Sequence, residues 1–394
     1  MILTQCAVCA TDLGLSLGKK CGRCSTRYCG AECQVQHWQE GGHDKLCKQI
    51  KKAGGAEQYN ANEKYAEAVT VAAEACAEDT KGQTCYICTQ ALHWKTKEGL
   101  VRGCSCRGTA GFAHVSCLAE QAKILLAEAE ENNLDHKVMD ERWARWYKCS
   151  LCEQRHHGVV ACALGWACWK TYVGRPETDG ARRMAMCVLG NGLALLEAKD
   201  EAALAVREAT LASMRRFGAP EEQMLVTLNN LANTYHMLGR HEQALRARRD
   251  VYSGMSKLNG GEHVMTLEAA GNYASTLTGL ERFEEAKSLL RKMLPVARRA
   301  AGEGHGVTLK MRWGYAMALY RDASATPSDL REAVTTLEDT GRIARRVFGG
   351  AHPITGRVGE LLQDSRAVLA AREGDDVGAV RAGLDAMELG RNNL

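Results

Sequence analysis

The 394-residue chain has no run of the roughly 18 consecutive apolar residues that a membrane-spanning helix requires. Its longest apolar stretch, "GVVACALGWACW" from Gly158, is shorter and continues into "KTYVGR", so the sequence predicts a soluble protein without a membrane span. A strong charge of one sign is missing too. Lys and Arg number 51 against 47 Asp and Glu, a net +4, which announces neither a nucleic-acid binder nor a partner for anionic membranes. Basic residues are not clustered with aromatics as a nucleic-acid surface would need, so no nucleic acid is expected. The start, "MILTQCAVC", lacks a basic segment followed by an apolar core, which argues against a cleaved secretion signal and for a reducing compartment, cytoplasmic or nuclear.

Cysteine is almost absent from the C-terminal half and abundant before it: of 18, all but Cys187 precede residue 170. In a reducing compartment such crowding points to metal rather than disulfides. The first cluster reads "CAVC", "CGRC", "YCGAEC" and "HDKLC". It offers eight ligands, Cys6, Cys9, Cys21, Cys24, Cys29, Cys33, His43 and Cys47, enough for two closed tetrahedral zinc sites. A buried apolar thiol explains any one of these cysteines, but not eight in this spacing. The second cluster runs "CYIC", "CSC", "HVSC" and "CSLC". It supplies eight more: Cys85, Cys88, Cys104, Cys106, His114, Cys117, Cys149 and Cys152.

The order of the first cluster, with "YCGAECQ" and Trp38 ahead of HxxxC, resembles the MYND-type zinc finger over residues 6–47. The resemblance implies interleaved sites, with Cys6, Cys9, Cys29 and Cys33 on one ion and Cys21, Cys24, His43 and Cys47 on the other. The gap from Cys33 to His43 is longer than the family's usual one and contains His37, which stands as an alternative ligand to His43. The second cluster, "CSCRGTAGFAHVSCL" with its flanking CxxC pairs, resembles the RING-CH (RING-variant) finger. That family has seven residues between a fourth-ligand Cys and a fifth-ligand His, as Cys106 and His114 do. It implies a cross-brace in which Cys85, Cys88, His114 and Cys117 share one ion and Cys104, Cys106, Cys149 and Cys152 the other. Four zinc ions are therefore expected per chain. Here the gap from Cys117 to Cys149 is longer than usual, and "CLAEQ" lacks the Trp often found after the sixth ligand.

A RING-type finger performs no covalent chemistry, so no catalytic residue is assigned. It holds a ubiquitin-conjugating enzyme beside a substrate and assists transfer by proximity. The resemblance places Ile87, inside "CYIC", at the contact with that enzyme; the alternative is that Ile87 packs against Leu118. Residues 53–80 and 119–147 are rich in helix formers. They predict a helical linker between the fingers and a helical insertion within the second, with Cys76 an ordinary thiol and His136 a surface residue.

After residue 158 the pattern becomes helical and repetitive. Ala232 and Ala274, Leu238 and Leu280, Ala244 and Ala286, Thr266 and Thr308 are each 42 residues apart, and Ala316 continues the series. Such a period, with small residues where helices approach, marks paired helices. The segment "LNNLANTY…GRHEQA" resembles tetratricopeptide repeats of the kinesin-light-chain type. About five helix pairs are expected, the earlier segments from Gly158 and Ala181 being degenerate members. The resemblance implies a concave groove that binds peptides of partner proteins and is lined by Asn230, Asn233 and Asn272; the alternative for each is a solvated helix face. Cys162, Cys168, Cys187, Trp166 and Trp169 are read as core, with His156 and His157 leaving a fifth metal site open.

The sequence thus predicts two small zinc-stabilised cross-brace fingers followed by an all-α tetratricopeptide-type superhelix. The domains are a MYND-type finger (1–50), a helical linker (51–80), a RING-CH-type finger with its insertion (81–157) and helical repeats (158–394). Two functions are open. One is a ubiquitin ligase that selects substrates with its MYND finger and repeats; the other is a non-catalytic adaptor.

Overall fold

A computed structural model describes residues 5–11, 13–14, 17–196, 200–350 and 352–391, with side chains described except those of 200 and 375–391. The chain divides into two compact units, Met1–Leu238 and Gly239–Leu394.

The first unit opens with an antiparallel pair of two-residue strands, β1 (Lys19–Lys20) and β2 (Arg27–Tyr28), followed by α1 (Ala31–Gln39) and α2 (His43–Lys52). Tyr28 is fully buried among Cys6, Cys21, Cys24 and Cys47, a core of few apolar residues. Linker helix α3 (Ala56–Ala75) leads to the second finger. From that finger emerge α4 (Val115–Glu131), α5 (His136–Trp143) and a single turn of 3-10 helix (Ala144–Trp146). Four more helices complete the unit: α6 (Gly158–Tyr172), α7 (Gly180–Leu193), α8 (Asp200–Phe217) and α9 (Glu221–Met237).

The apolar run from Gly158 becomes α6, which buries ten of its fifteen residues. A helix apolar all round belongs in the middle of a core, and α6 packs on α3, α4 and α7 at once. Small residues let α7 come close: a Cβ at Gly192 would lie 2.7 Å from the Ala161 carbonyl oxygen. Trp146, Trp169, Cys162 and Cys168 are buried in this core, so the second finger, the linker helix and the first helices after residue 158 share one apolar interior.

The second unit is a succession of antiparallel-neighbour helices: α10 (His241–Asn259), α11 (Val264–Gly279), α12 (Phe283–Ala301), α13 (Gly306–Tyr320), α14 (Pro327–Phe348) and α15 (Pro353–Arg391). Each packs on the next. The periodic alanines sit where the repeat requires them, Ala274, Ala286 and Ala316 being essentially without exposure. Thr266 and Thr308, 42 apart, do equivalent work. Each hydroxyl donates to a carbonyl eleven residues back, Met255 at 3.1 Å and Ala297 at 3.3 Å. Imidazoles cap the helices that follow the loops: Nδ1 of His263, His305 and His352 accepts from the second backbone N–H onward, at 3.2–3.3 Å. The segment "DASATPSD" from Asp322 leads into α14, where Thr326 and Asp329 make a reciprocal capping box around Pro327. No helix among the described residues is long and apolar enough to cross a membrane.

Candidate metal centres and partner surface

The four CxxC segments fold into the same knuckle. In each, the backbone N–H four residues on donates to the carbonyl of the first cysteine: Ala10 to Cys6, Ser25 to Cys21, Thr89 to Cys85 and Glu153 to Cys149, at 2.8–3.1 Å. The N–H of that cysteine donates in turn to the carbonyl five residues on. Closing so tight a turn puts the residue after the second cysteine in the left-handed region, with φ of 57°, 63°, 61° and 56°. Backbone amides also point at sulfur: the N–H groups of Ile87 and Cys88 lie 3.4 and 3.5 Å from Cys85 Sγ, and that of Leu151 lies 3.4 Å from Cys149 Sγ.

The knuckles and their partners converge in four tetrads, in each of which all donor atoms lie within 4.8 Å of one another. These are Cys6, Cys9, Cys29, Cys33; Cys21, Cys24, His43, Cys47; Cys85, Cys88, His114, Cys117; and Cys104, Cys106, Cys149, Cys152. The edges fit zinc. Tetrahedral ligation at about 2.3 Å to sulfur and about 2.0 Å to nitrogen requires edges of about 3.8 Å between sulfurs and about 3.5 Å between sulfur and nitrogen. The chain has 3.8 Å for Cys21–Cys47 and Cys106–Cys149, 3.5 Å for Cys9–Cys29 and Cys29–Cys33, 3.4 Å for Cys24 to His43 Nε2, and 3.4 and 3.6 Å for Cys88 and Cys117 to His114 Nδ1.

The electrostatics also call for a cation. Hydrogen bonds from Thr11 bring the Cys9 thiol down to about 6. Burial pushes Cys21 up, but bonding to His43 and to backbone amides outweighs it and leaves it at about 6. Their neighbours move the other way: sharing a hydrogen bond with Cys29 lifts Cys33 to about 12, and burial with the Cys21 contact lifts Cys47 to about 11. Three or four thiols this close cannot all ionise by themselves, and a divalent ion removes the conflict. His114 is prepared for the same role. Burial lowers its pKa, keeping a lone pair on Nδ1, while Nε2 lies 3.3 Å from the Ala91 carbonyl and fixes the tautomer.

His43, not His37, stands in the second tetrad; His37 Nδ1 lies 3.0 Å from the Tyr28 hydroxyl and its ring lies tilted beside that of His43, with centroids 4.8 Å apart. No fifth cluster forms around His156 and His157 among the described residues.

Supporting groups brace the second finger. Arg145 holds Glu153 through two bonds of 3.0 and 2.7 Å and reaches the Cys149 carbonyl at 3.2 Å. Tyr86 Oη and Ser150 Oγ, 3.1 Å apart, tie its first knuckle to its last. Glu98 accepts from Ser116 N–H at 2.7 Å and from its hydroxyl at 2.9 Å, capping α4 where Cys117 sits, and Tyr65 of α3 joins the same hydroxyl. Gly111 is forced: its φ is +86°, and a Cβ there would lie 2.6 Å from Cys106 Cβ and 3.0 and 3.2 Å from the sulfurs of Cys106 and Cys104.

Family comparison agrees with this architecture. Residues 6–47 match the family model of the MYND finger, and residues 85–152 that of the RING-variant domain. The first finger is a MYND finger and the second a RING-variant domain. Residues 223–299 match the tetratricopeptide repeat model. No curated protein matches the chain. Among solved structures, a putative kinesin light chain of Podosopora anserina with nearly identical TPR-like repeats is 16% identical, covering 60% of this chain and 98% of its own, with a TM-score of 0.40. A single-residue variant of that protein gives 16%, 59%, 97% and 0.41. BtubC (BKLC) from P. vanneervenii is 14% identical, covering 69% of this chain and 92% of its own, with a TM-score of 0.40. The four clusters of the MYND finger and the RING-variant domain are of zinc-binding type, one ion to each.

Beside the first tetrad of the RING-variant domain lies an apolar shelf. Ile87 is 36% exposed, Trp94 68% and Ile124 47%. They line a shallow cleft of about 380 Å³ whose floor includes Cys117 and Leu125. Leu118 is instead buried in the core. Trp94 and Ile124 carry no spacing signal in the sequence; a Trp shortly after a ligand knuckle is the sign that points to the first. Of the predicted groove residues, Asn233 is exposed on α9, while the carbonyls of Asn230 and Asn272 accept from the buried Arg207 and Arg248 at 2.8 and 2.7 Å.

Proposed function

We propose that the protein is a RING-type ubiquitin-protein ligase of the cytoplasm or nucleus. The RING-variant domain recruits a ubiquitin-conjugating enzyme, and the MYND finger and repeat helices bind substrate proteins or peptides, Asn230, Asn233 and Asn272 contributing to the latter surface. All sixteen tetrad residues act as zinc ligands in this reading.

The observation that carries it is the exposed shelf of Ile87, Trp94 and Ile124 against the first tetrad. A solvent-facing Trp and two aliphatic side chains on a metal-braced loop form a contact surface that needs a partner to leave water. Bound there, a ubiquitin-conjugating enzyme is held near substrates gathered by the rest of the chain, and transfer gains from proximity alone. No step requires a nucleophile of this chain.

The adaptor reading differs only in that the shelf takes no conjugating enzyme. Titrating the zinc-loaded chain with a panel of conjugating enzymes separates the two. At least one should bind, and Ile87→Ala and Trp94→Ala should each weaken it about tenfold or more, as loss of an interface anchor does. Absence of binding across the panel by a folded, metallated chain favours the adaptor.

A further inference from the structure

A second cavity, in the first unit, is unrelated to the shelf. It has a volume of about 880 Å³ and is walled by the end of the RING-variant domain on one side and α7, α8 and α9 on the other. Trp143 and Trp146 form part of the wall and are buried. Three methionines face it, Met184 from α7, Met214 from α8 and Met237 from α9, and the exposed Leu195 and Val226 stand at its mouth. Its size falls within the roughly 300–1,000 Å³ of small-ligand sites. Thioethers along its wall suit a flat aromatic ring, since polarizable sulfur packs well against ring edges.

Trp146 Nε1 and the imidazole of His156, both along this cavity, are buried without a partner among the described residues. His156 is only 6% exposed, and neither ring nitrogen has a hydrogen-bond partner among the described residues. Its backbone is accounted for, the N–H donating to the Tyr147 carbonyl at 2.9 Å. Burial, with a smaller push from His157, holds the imidazole down at about 4, so at neutral pH it carries one N–H and one lone pair. Leaving both unmade is costly, since a buried donor or acceptor without a partner has lost its water and gained nothing in return. The charged lining has no dominant sign, Asp140 and Glu222 being set against Arg155 and Arg207, which disfavours an ion as occupant.

We propose that this cavity is a binding site for a small, neutral, flat aromatic molecule of lactam or amide type, packed on the methionines and hydrogen-bonded to His156. The inference does not rest on the ligase reading, because no residue of the shelf lines the cavity. Occupancy would bridge the RING-variant domain to the helices beyond it and stiffen that junction.

The test uses the full zinc-loaded chain with methyl-labelled methionine and three neutral bicyclic lactams as probes: carbostyril, isocarbostyril and oxindole. The methyl resonances of Met184, Met214 and Met237 should shift saturably, with Met293 and Met311 of the second unit unmoved. His156→Phe, which keeps the ring volume and removes both nitrogens, should weaken binding about tenfold, the worth of one or two buried hydrogen bonds. His156→Gln, which restores a donor and an acceptor, should recover part of that loss. Val226→Arg, at the exposed mouth and therefore safe for folding, should block entry. The inference is overturned if none of the lactams gives a saturable shift, if His156→Phe binds as tightly as the native chain, or if Val226→Arg has no effect.

Discussion

Gly111→Ala isolates the geometric demand of the last zinc site. Two costs meet at this position. The first is backbone: an alanine at φ +86° is in the left-handed region, worth roughly 1–2 kcal/mol. The second is crowding, since the added carbon would lie 2.6 Å from Cys106 Cβ and 3.0 Å from Cys106 Sγ, so the ligand itself must move. Overpacking of that kind costs roughly 1–3 kcal/mol. Metal sites tolerate only about 0.2 Å in their distances, so the displacement falls on zinc affinity. Gly108→Ala is the matched control. Its φ is +60°, but nothing lies within 4 Å of the added carbon. The difference between the two variants is therefore the crowding alone, about fivefold to a hundredfold in affinity at one of four sites. Competition with a calibrated fluorescent chelator reads it directly: Gly111→Ala should release one zinc early, and Gly108→Ala should release its four nearly as the native chain does. Equal affinities in the two variants would refute the reasoning.

Metal analysis of the native chain should give four zinc equivalents; His43→Ala should lose about one and His37→Ala none, because only His43 reaches the tetrad. Chelation should remove hydrogen-exchange protection from α3, α4 and α6, which share a core with the RING-variant domain, and spare α10–α14, whose stability needs no metal; uniform loss throughout would contradict the packing. In the second unit, hydrogen bonds from Ser324 and the Lys287 ammonium hold the Asp322 carboxyl at about 2. A folded-state pKa below the unfolded value of about 4 means stability that is complete above about pH 4 and lost as pH falls through 2, so acid unfolding of this unit, followed at Met293, should have a shallower slope in Asp322→Asn.

The sixteen ligands were legible in the sequence because each ligand pair is local, whereas the interleaving that shares them among four ions was read from the resemblance to the MYND and RING-CH fingers. A CxxC knuckle sets its own turn, and the two remaining ligands of each tetrad come from segments whose spacing is as regular. The alanine period was legible for a similar reason: Ala274, Ala286 and Ala316 mark close helix approaches that recur by construction. What spacing does not carry is which distant segments meet. The run in α6 reads as the start of the repeats, yet it packs on α3 and α4 because a helix apolar all round must be covered on every side. Trp94 and Ile124, 30 residues apart, join Ile87 only through the fold of the knuckle and α4. His156 reads as a spare metal ligand until the surrounding helices are in place, and then faces a cavity instead. The choice between His37 and His43 likewise turned on the Tyr28 hydroxyl, which occupies the former.

Reconstituted ubiquitin transfer tests the central claim most directly. With an activating enzyme, a conjugating enzyme that binds the chain, ATP and ubiquitin, the zinc-loaded protein should build ubiquitin on itself. Ile87→Ala should abolish transfer while keeping four zincs, and Cys85→Ser should lose both transfer and metal. A native chain that is folded, fully metallated and inert with every conjugating enzyme would contradict the ligase account.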